Sequence, residues 1–252
     1  NGAVGANDCT LNLNVPCGQA AGLILAPCAP AGAAVISEGK IESLAAGTNI
    51  VIEAANTITV CNLTDNVLLL PAGANLTLRT VTGDIVFADI NDQVTATGCG
   101  TISILAGVCG GTASIIAGNL VTAGRPILLT AGTAPGSNIA LNQVNAGGST
   151  VTITTGGEIL DNNAGALNLI AGTVVMNAGT GIGAADPLET TVANITATTI
   201  AGDIRLLETN GALLVNVSAG TGGGIGNVNI CSAAGDLALV TVNAPNDTVT
   251  LS

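Results

Sequence analysis

The amino-acid sequence predicts an all-β fold, a parallel β-helix (solenoid) with coils of about 25 residues. Two observations lead to this prediction. Short aliphatic runs such as Ile102-Ser103-Ile104-Leu105 alternate with Gly, Asn and Thr turns, and no segment has the periodicity of a helix longer than a turn or two. The runs that begin at Leu76, Ile102, Ile127 and Val151 follow one another at steps of about 25 residues, within the range of solenoid repeats.

A two-layer β-sandwich is the competing fold. Its hairpin turns would recur every 8 to 12 residues or so, about the length of two short strands, with a stricter alternation of apolar and polar residues than this sequence has. We therefore expect neighbouring strands to run parallel, each coil resting on the one before it.

The chain divides into two predicted parts. Residues 1–45 are irregular and contain Pro16, Pro27 and Pro30, so we expect an N-terminal cap or docking segment rather than central strands. Residues 46–252 form the predicted repeat domain. An uncharged apolar run at residues 20–36 contains two of the prolines, so we expect no spanning helix there and no membrane insertion.

The composition limits both the core and the partners. Phe87 is the only aromatic residue among 252 and His is absent, so Val, Ile, Leu and Ala must fill a thin core. The formal net charge is −12, from 16 acidic residues against Lys40, Arg79, Arg125 and Arg205. Four scattered cations cannot follow a phosphate backbone, so we expect no nucleic-acid partner.

A recurring Gly-acid-aliphatic signature marks the predicted corners of the coils. It occurs as Gly83-Asp84-Ile85, Gly157-Glu158-Ile159, Gly202-Asp203-Ile204 and Gly235-Asp236-Leu237. Glycine supplies the backbone angles, the carboxylate accepts hydrogen bonds from nearby amides, and the aliphatic residue turns inward. A calcium site is the alternative, but the tandem GGxGxDxUx pattern of calcium-binding solenoids is absent. We expect no cofactor and no metal.

The disulfide candidates are the seven cysteines Cys9, Cys17, Cys28, Cys61, Cys99, Cys109 and Cys231. They form no CxxC pair and have no His to complete a zinc site. Paired disulfides are the expectation for a chain so poor in Lys and aromatic residues, which looks exported; buried free thiols are the alternative. Because seven is odd, at least one thiol is free or bonded to another chain, and an intermolecular bridge through Cys9, Cys17, Cys28 or Cys231 would join subunits.

Residues 156–232 resemble a known family through a set of short phrases. These are Gly179-Thr180-Gly181-Ile182-Gly183, Asp186-Pro187-Leu188-Glu189-Thr190 and Asn210-Gly211-Ala212-Leu213. In them the segment resembles the large filamentous-haemagglutinin-like exoproteins of bacteria. Residues 1–45 show no counterpart of that family's amino-terminal secretion domain. The resemblance implies a secreted, right-handed β-helix with a surface-attachment or matrix function, exported by an outer-membrane partner.

The leading hypothesis for function is an extracellular structural or adhesive protein, secreted or at the cell surface. We expect a filament or fibre subunit, or an excised part of a longer exoprotein, because solenoid ends expose unpaired N–H and C=O groups. Thr248, Val249, Thr250 and Leu251 have strand character and form the predicted assembly edge, on which another copy would stack end to end. A host or matrix surface is the other expected partner.

Two further functions compete with this hypothesis. Polysaccharide-processing β-helix enzymes need clustered carboxylates in a groove and aromatic platforms for sugar rings. Only Asp84, Asp89 and Asp92 cluster, and a solvated turn explains them, so we assign no catalytic residue and do not expect an enzyme. An ice-binding face would need Thr-x-Thr units at one register in successive coils. The spacing between rows such as residues 150–154 and 248–250 does not repeat.

Overall fold

The computed structural model describes Leu23–Ile24 and residues 35–252, and this part of the chain contains one short helix and 24 strands. All strand pairs among these residues are parallel. The strands wind into about eight stacked turns about 24 residues apart, which confirms the predicted β-solenoid. Since no antiparallel pair occurs in the described part, the β-sandwich is excluded.

Each complete turn passes through three faces, which we call A, B and C. Face A consists of β1 (Leu23–Ile24), β2 (Asn49–Ala54), β5 (Asn75–Thr80), β8 (Ile102–Leu105), β11 (Ile127–Thr130), β14 (Thr150–Thr155), the C-terminal halves of β16 (Leu169–Ala178) and β18 (Leu188–Thr199), β20 (Ala212–Ser218), β22 (Leu237–Leu239) and β23 (Val242–Asn243). Face B consists of β3 (Ile58–Val60), β6 (Ile85–Phe87), β9 (Ile115–Ile116), β12 (Ile139–Leu141), β15 (Glu158–Asp161), β17 (Gly181–Ile182), β19 (Ile204–Glu208), β21 (Val228–Ser232) and β24 (Val249–Leu251). Face C consists of β4 (Val67–Leu69), β7 (Gln93–Ala96), β10 (Asn119–Thr122), β13 (Val144–Asn145) and the N-terminal halves of β16 and β18. The helix α1 (Glu38–Glu42) precedes β2 and contacts β4.

The core is built of columns of aliphatic side chains that run along the solenoid axis. Because strand side chains alternate between the two sides of a sheet, every second residue points inward. On face B the inward column is formed, one residue per turn, by the fully buried isoleucines Ile58, Ile85, Ile115, Ile139, Ile159, Ile182 and Ile204. Their branched side chains suit the pleated surface and fill most of the thin interior, in which Phe87 is the one aromatic residue.

The turns differ in length along the solenoid while the strands keep their register. On face A, Ile50 of β2 pairs with Leu76 of the next turn. Later on the same face, Val151 pairs with Val174 and Val174 with Ile195, and each of these steps along the chain is shorter than the one before. The corner loops therefore absorb the differences in length, and the inward columns continue unbroken.

Face C has no separate strand after β18. Its inward column runs through Leu120, Val144 and Leu169 to Thr190, which pairs with Glu208 at the end of β19. Glu208 pairs in turn with Ser232 of β21, so the column continues within the strands of face B. From β19 onward one continuous strand therefore covers the positions of faces B and C.

Candidate functional site

The outermost strands at the C-terminal end are β22, β23 and β24, and each pairs on one side only within the described residues. The structure thus places the predicted assembly edge on an open sheet edge. In β24, Val249 pairs with Val228 and Leu251 with Ile230, while Thr250 has its side chain in solvent. These strands form the first part of the candidate site, which we call the open edge.

The backbone of β24 offers free hydrogen-bonding groups at this open edge. The Thr248 carbonyl accepts a hydrogen bond from the Val228 amide at 3.0 Å, and the Ser252 amide donates to the Ile230 carbonyl at 3.2 Å. Since backbone groups alternate in direction along a strand, the amides of Val249 and Leu251 point away from β21. A further strand could pair with them.

The core is also uncovered at the open edge. Leu239 continues the column of the fully buried Leu214 but is 54% exposed, and Val249 continues that of the fully buried Val228 but is 41% exposed. Apolar side chains and unpaired backbone groups therefore occur together on the last turn. This combination is typical of a surface that pairs with another strand.

The N-terminal end is covered on faces A and C, in contrast, while β3 of face B pairs on one side only within the described residues. Leu23 of β1 pairs with Ile50 and so covers the edge of β2, while α1 covers the edge of face C. The Leu69 amide donates to Glu42 Oε1 at 2.9 Å, and the Thr64 amide donates to Glu38 Oε2 at 3.2 Å. The carboxylates of α1 thus take the place of a strand. Both covering elements lie within residues 1–45.

Glu208 closes face C at Val192, a position that pairs with no later strand of the described chain. The side chain is fully buried, and its carboxylate accepts hydrogen bonds from the Thr190 hydroxyl at 2.6 Å and from the Val192 amide at 3.3 Å. It also accepts bonds from the amides of Thr209 and Asn210. Burial raises the pKa of Glu208, and these hydrogen bonds oppose the rise. At the Val192 amide the carboxylate thus takes the place of a strand.

The acidic cluster of Asp84, Asp89 and Asp92 serves the backbone. Asp84 Oδ1 accepts a hydrogen bond from the Ser114 amide at 2.7 Å, and Asp89 Oδ1 accepts one from the Asn91 amide at 2.9 Å. Asp92 was expected in a solvated turn, which is wrong. It is fully buried and accepts the Leu63 amide with both oxygens, and burial raises its pKa. The side chain points toward the preceding turn of the solenoid, to which Leu63 belongs.

The corner signature behaves largely as predicted. A side chain at Gly83 would collide with the carbonyl of Asn56, and Asp203 Oδ1 accepts the Asn227 amide at 2.7 Å. Ile85, Ile159 and Ile204 turn into the core. Glu158 is the exception, because its buried Oε1 atom has no hydrogen-bond partner.

A second carboxylate oxygen without a partner belongs to Glu189, which is 8% exposed. Burial raises the pKa of this carboxyl group, and the nearby charges of Asp161 and Asp186 raise it further. In the described residues no group of three His, Cys, Asp or Glu side chains is placed to hold a metal ion. Proton uptake on acidification is thus the chemistry that this group offers.

No disulfide links Cys61, Cys99, Cys109 and Cys231 to one another, so the expectation of paired disulfides has no support among the described cysteines. Cys99 and Cys109 are exposed and lie on either side of β8, and Cys231 lies several turns away in β21. A disulfide needs Cα atoms within about 7 Å. Because each strand stacks on the strands of the neighbouring turns, residues that lie far from one another along a turn are held apart. The candidates Cys9, Cys17 and Cys28 lie outside the described residues.

A small cavity lies near the N-terminal end, between α1 and the first two turns. Its volume is about 60 Å³, and its lining includes Ile41, Ile52, Leu68 and Leu76, with Glu38 at the rim. Small-molecule sites usually have about 300–1,000 Å³. The cavity is therefore too small for a sugar ring and offers no substrate site.

Comparison with known proteins gives no relative. No family model matches this chain, and no curated protein and no solved structure matches it. Separately, no helix of the described residues is long and apolar enough to cross a membrane. The candidate site therefore depends on the geometry of the solenoid ends alone.

Proposed function

We propose that this protein is an extracellular structural or adhesive rod, secreted or held at the cell surface, that joins further copies of itself as a filament or fibre subunit. One observation carries the proposal: β22, β23 and β24 have an unpaired outer edge within the described residues. The resemblance of residues 156–232 to filamentous-haemagglutinin-like exoproteins supports it and adds a host or matrix surface as a second partner.

The unpaired backbone groups and uncovered apolar side chains of the open edge favour assembly. A strand that pairs with β24 would bond the outward amides of Val249 and Leu251 and would cover the apolar ends of two core columns. The last turn carries few charges, with Asp236 and Asp247 as the acidic residues among positions 233–252 and no Lys or Arg. Like-charge repulsion between copies is therefore small at this end.

The test is the oligomeric state of the purified chain at micromolar concentration, measured by light scattering and electron microscopy. We expect dimers or longer rods. Val249→Lys places a charge on the uncovered end of the core and should yield monomers. Val86→Lys, which places the same charge on the outer side of face B in a strand that is paired on both sides, should assemble like the unchanged chain.

A monodisperse monomer of the unchanged chain would contradict the proposal. Equal assembly of the Val249→Lys and unchanged chains would show that copies join through another surface.

A further inference from the structure

The outer side of face A carries an ordered array of side chains in three successive turns. The strands β14, β16 and β18 pair in continuous register over six positions each, so their outward residues form three straight columns. Thr152, Val175 and Thr196 form the central column, flanked by the column of Thr150, Thr173 and Asn194 and by the column of Thr154, Asn177 and Thr198. We call these nine positions the threonine face.

This array is not visible in the sequence because the turns differ in length. The step along the chain from β14 to β16 is longer than the step from β16 to β18, so no fixed repeat of Thr-x-Thr is visible. The corner loops absorb the difference, and the side chains align in space. Thr-x-Thr units in β14 and β18 therefore lie at one register, and β16 between them presents Thr173, Val175 and Asn177 at the same positions.

The array is a two-dimensional lattice of fixed dimensions. Parallel strands lie about 4.8 Å apart, and outward residues recur along each strand at about twice the 3.3 Å rise. Hydrogen bonds along the columns hold the side chains: the Thr198 hydroxyl donates to Asn177 Oδ1 at 2.6 Å, and Asn194 Nδ2 donates to Thr173 Oγ1 at 3.4 Å. Threonine side chains are also stiff because they branch at Cβ. The hydroxyl and methyl groups are thus held in place before any partner arrives.

The charge distribution indicates which kind of partner fits the threonine face. The chain has 16 acidic and 4 basic residues, but none of them lies in the face A strands from β8 to the end of β20. The nearest charges within face A are Glu53 and Arg79, on β2 and β5. A nucleic acid would need cations on this surface, and a sugar chain would need aromatic side chains, whereas the single aromatic residue is buried. An uncharged, periodic array of hydroxyl and methyl groups fits an uncharged, periodic lattice of hydrogen-bonding molecules.

We propose that the threonine face binds the surface of ice. The hydroxyl groups would take the places of water molecules at the crystal surface, and the methyl groups would exclude disordered water between them. This function is independent of the assembly at the open edge, because the two surfaces share no residue.

The test measures thermal hysteresis and inhibition of ice recrystallisation by the purified chain, with a similarly acidic globular protein as reference. We expect activity above the reference. Thr152→Tyr and Thr196→Tyr should reduce it to the reference level, since a large ring in the central column breaks the lattice while tyrosine remains a good strand residue. The matched control is Thr95→Tyr on the outer side of face C, which should keep full activity.

Two results would overturn the proposal: an unchanged chain without activity, or an equal loss of activity in Thr95→Tyr and Thr152→Tyr. Thr152→Val keeps the shape of the side chain and removes one hydroxyl group. It therefore provides a second test if the tyrosine variants unfold, and we expect a partial loss of ice activity. If instead the native chain is a dimer without ice activity and Thr152→Tyr makes it monomeric, the threonine face binds a second copy and the proposal fails.

Discussion

Replacement of Glu208 tests whether one side chain closes face C. Glu208→Ala removes the acceptor of four hydrogen bonds, but Thr209 and Asn210 are close enough to solvent to bond water instead. The Thr190 hydroxyl and the Val192 amide are buried and lose their partner. An unsatisfied buried donor costs about 1–3 kcal/mol, and the variant no longer buries a carboxyl group. We expect a net loss of about 2–4 kcal/mol in the free energy of unfolding.

The assay combines urea unfolding with amide hydrogen exchange. Glu208→Gln retains one acceptor oxygen and should lose only about 1 kcal/mol. Glu53→Ala breaks the ion pair with Arg79 on the outer side of face A and should change stability by less than about 1 kcal/mol. In Glu208→Ala the Val192 amide should exchange faster than in the unchanged chain. Unchanged exchange at Val192, together with unchanged stability, would refute the role of Glu208.

Three further predictions concern the core, the corners and pH. Ile139→Ala, in the middle of the isoleucine column, should lower the free energy of unfolding by about 2–5 kcal/mol in urea titrations. Val249→Ala at the open edge should lower it by less than about 1 kcal/mol. Similar losses in the two variants would contradict the conclusion that the isoleucine column forms the core. Gly179→Ala should prevent folding or lower the melting temperature, because a Cβ there collides with a carbonyl of the previous turn, while Gly148→Ala has free space and serves as the control. The melting temperature should rise as the pH is lowered from 7 to about 4.5. The folded state raises the pKa of Glu38, Asp92, Glu189 and Glu208. Such carboxyl groups stabilise the fold below their unfolded pKa and lose this contribution as the pH rises through the folded pKa. Glu208→Gln should flatten that dependence, and a melting temperature that falls on this acidification would contradict the assignment.

The repeat itself could be predicted from the sequence because each strand signals its own presence. The aliphatic runs at Ile102, Ile127 and Val151 do occupy one column, and the predicted coil length agrees with the observed spacing of about 24 residues. Gly-acid-aliphatic corners were predictable for the same reason, since a turn acts within a few residues. Local chemistry thus determines which residues form strands and corners.

Features that depend on stacking could not be predicted in this way. Glu208 ends a strand and precedes a turn, where a carboxylate is usually exposed. It is buried because it points into the interior from a strand that pairs with β18 on one side and with β21 on the other, which is a property of the stacked solenoid. Face C was also difficult to detect, because β13 comprises only Val144–Asn145. Likewise, the alignment of Thr152 with Thr196 depends on corner lengths that strand patterns do not reveal.

The difference between its two ends gives the molecule a direction. At the N-terminal end β1 covers the edge of β2 and α1 contacts β4, whereas β22, β23 and β24 leave their outer edges unpaired within the described residues. The two ends are therefore not interchangeable. Any assembly of several copies must choose between joining open ends to open ends, which gives finite symmetric pairs, and matching an open end to a covered one, which gives a polar fibre whose growth would be blocked until the covered end is exposed.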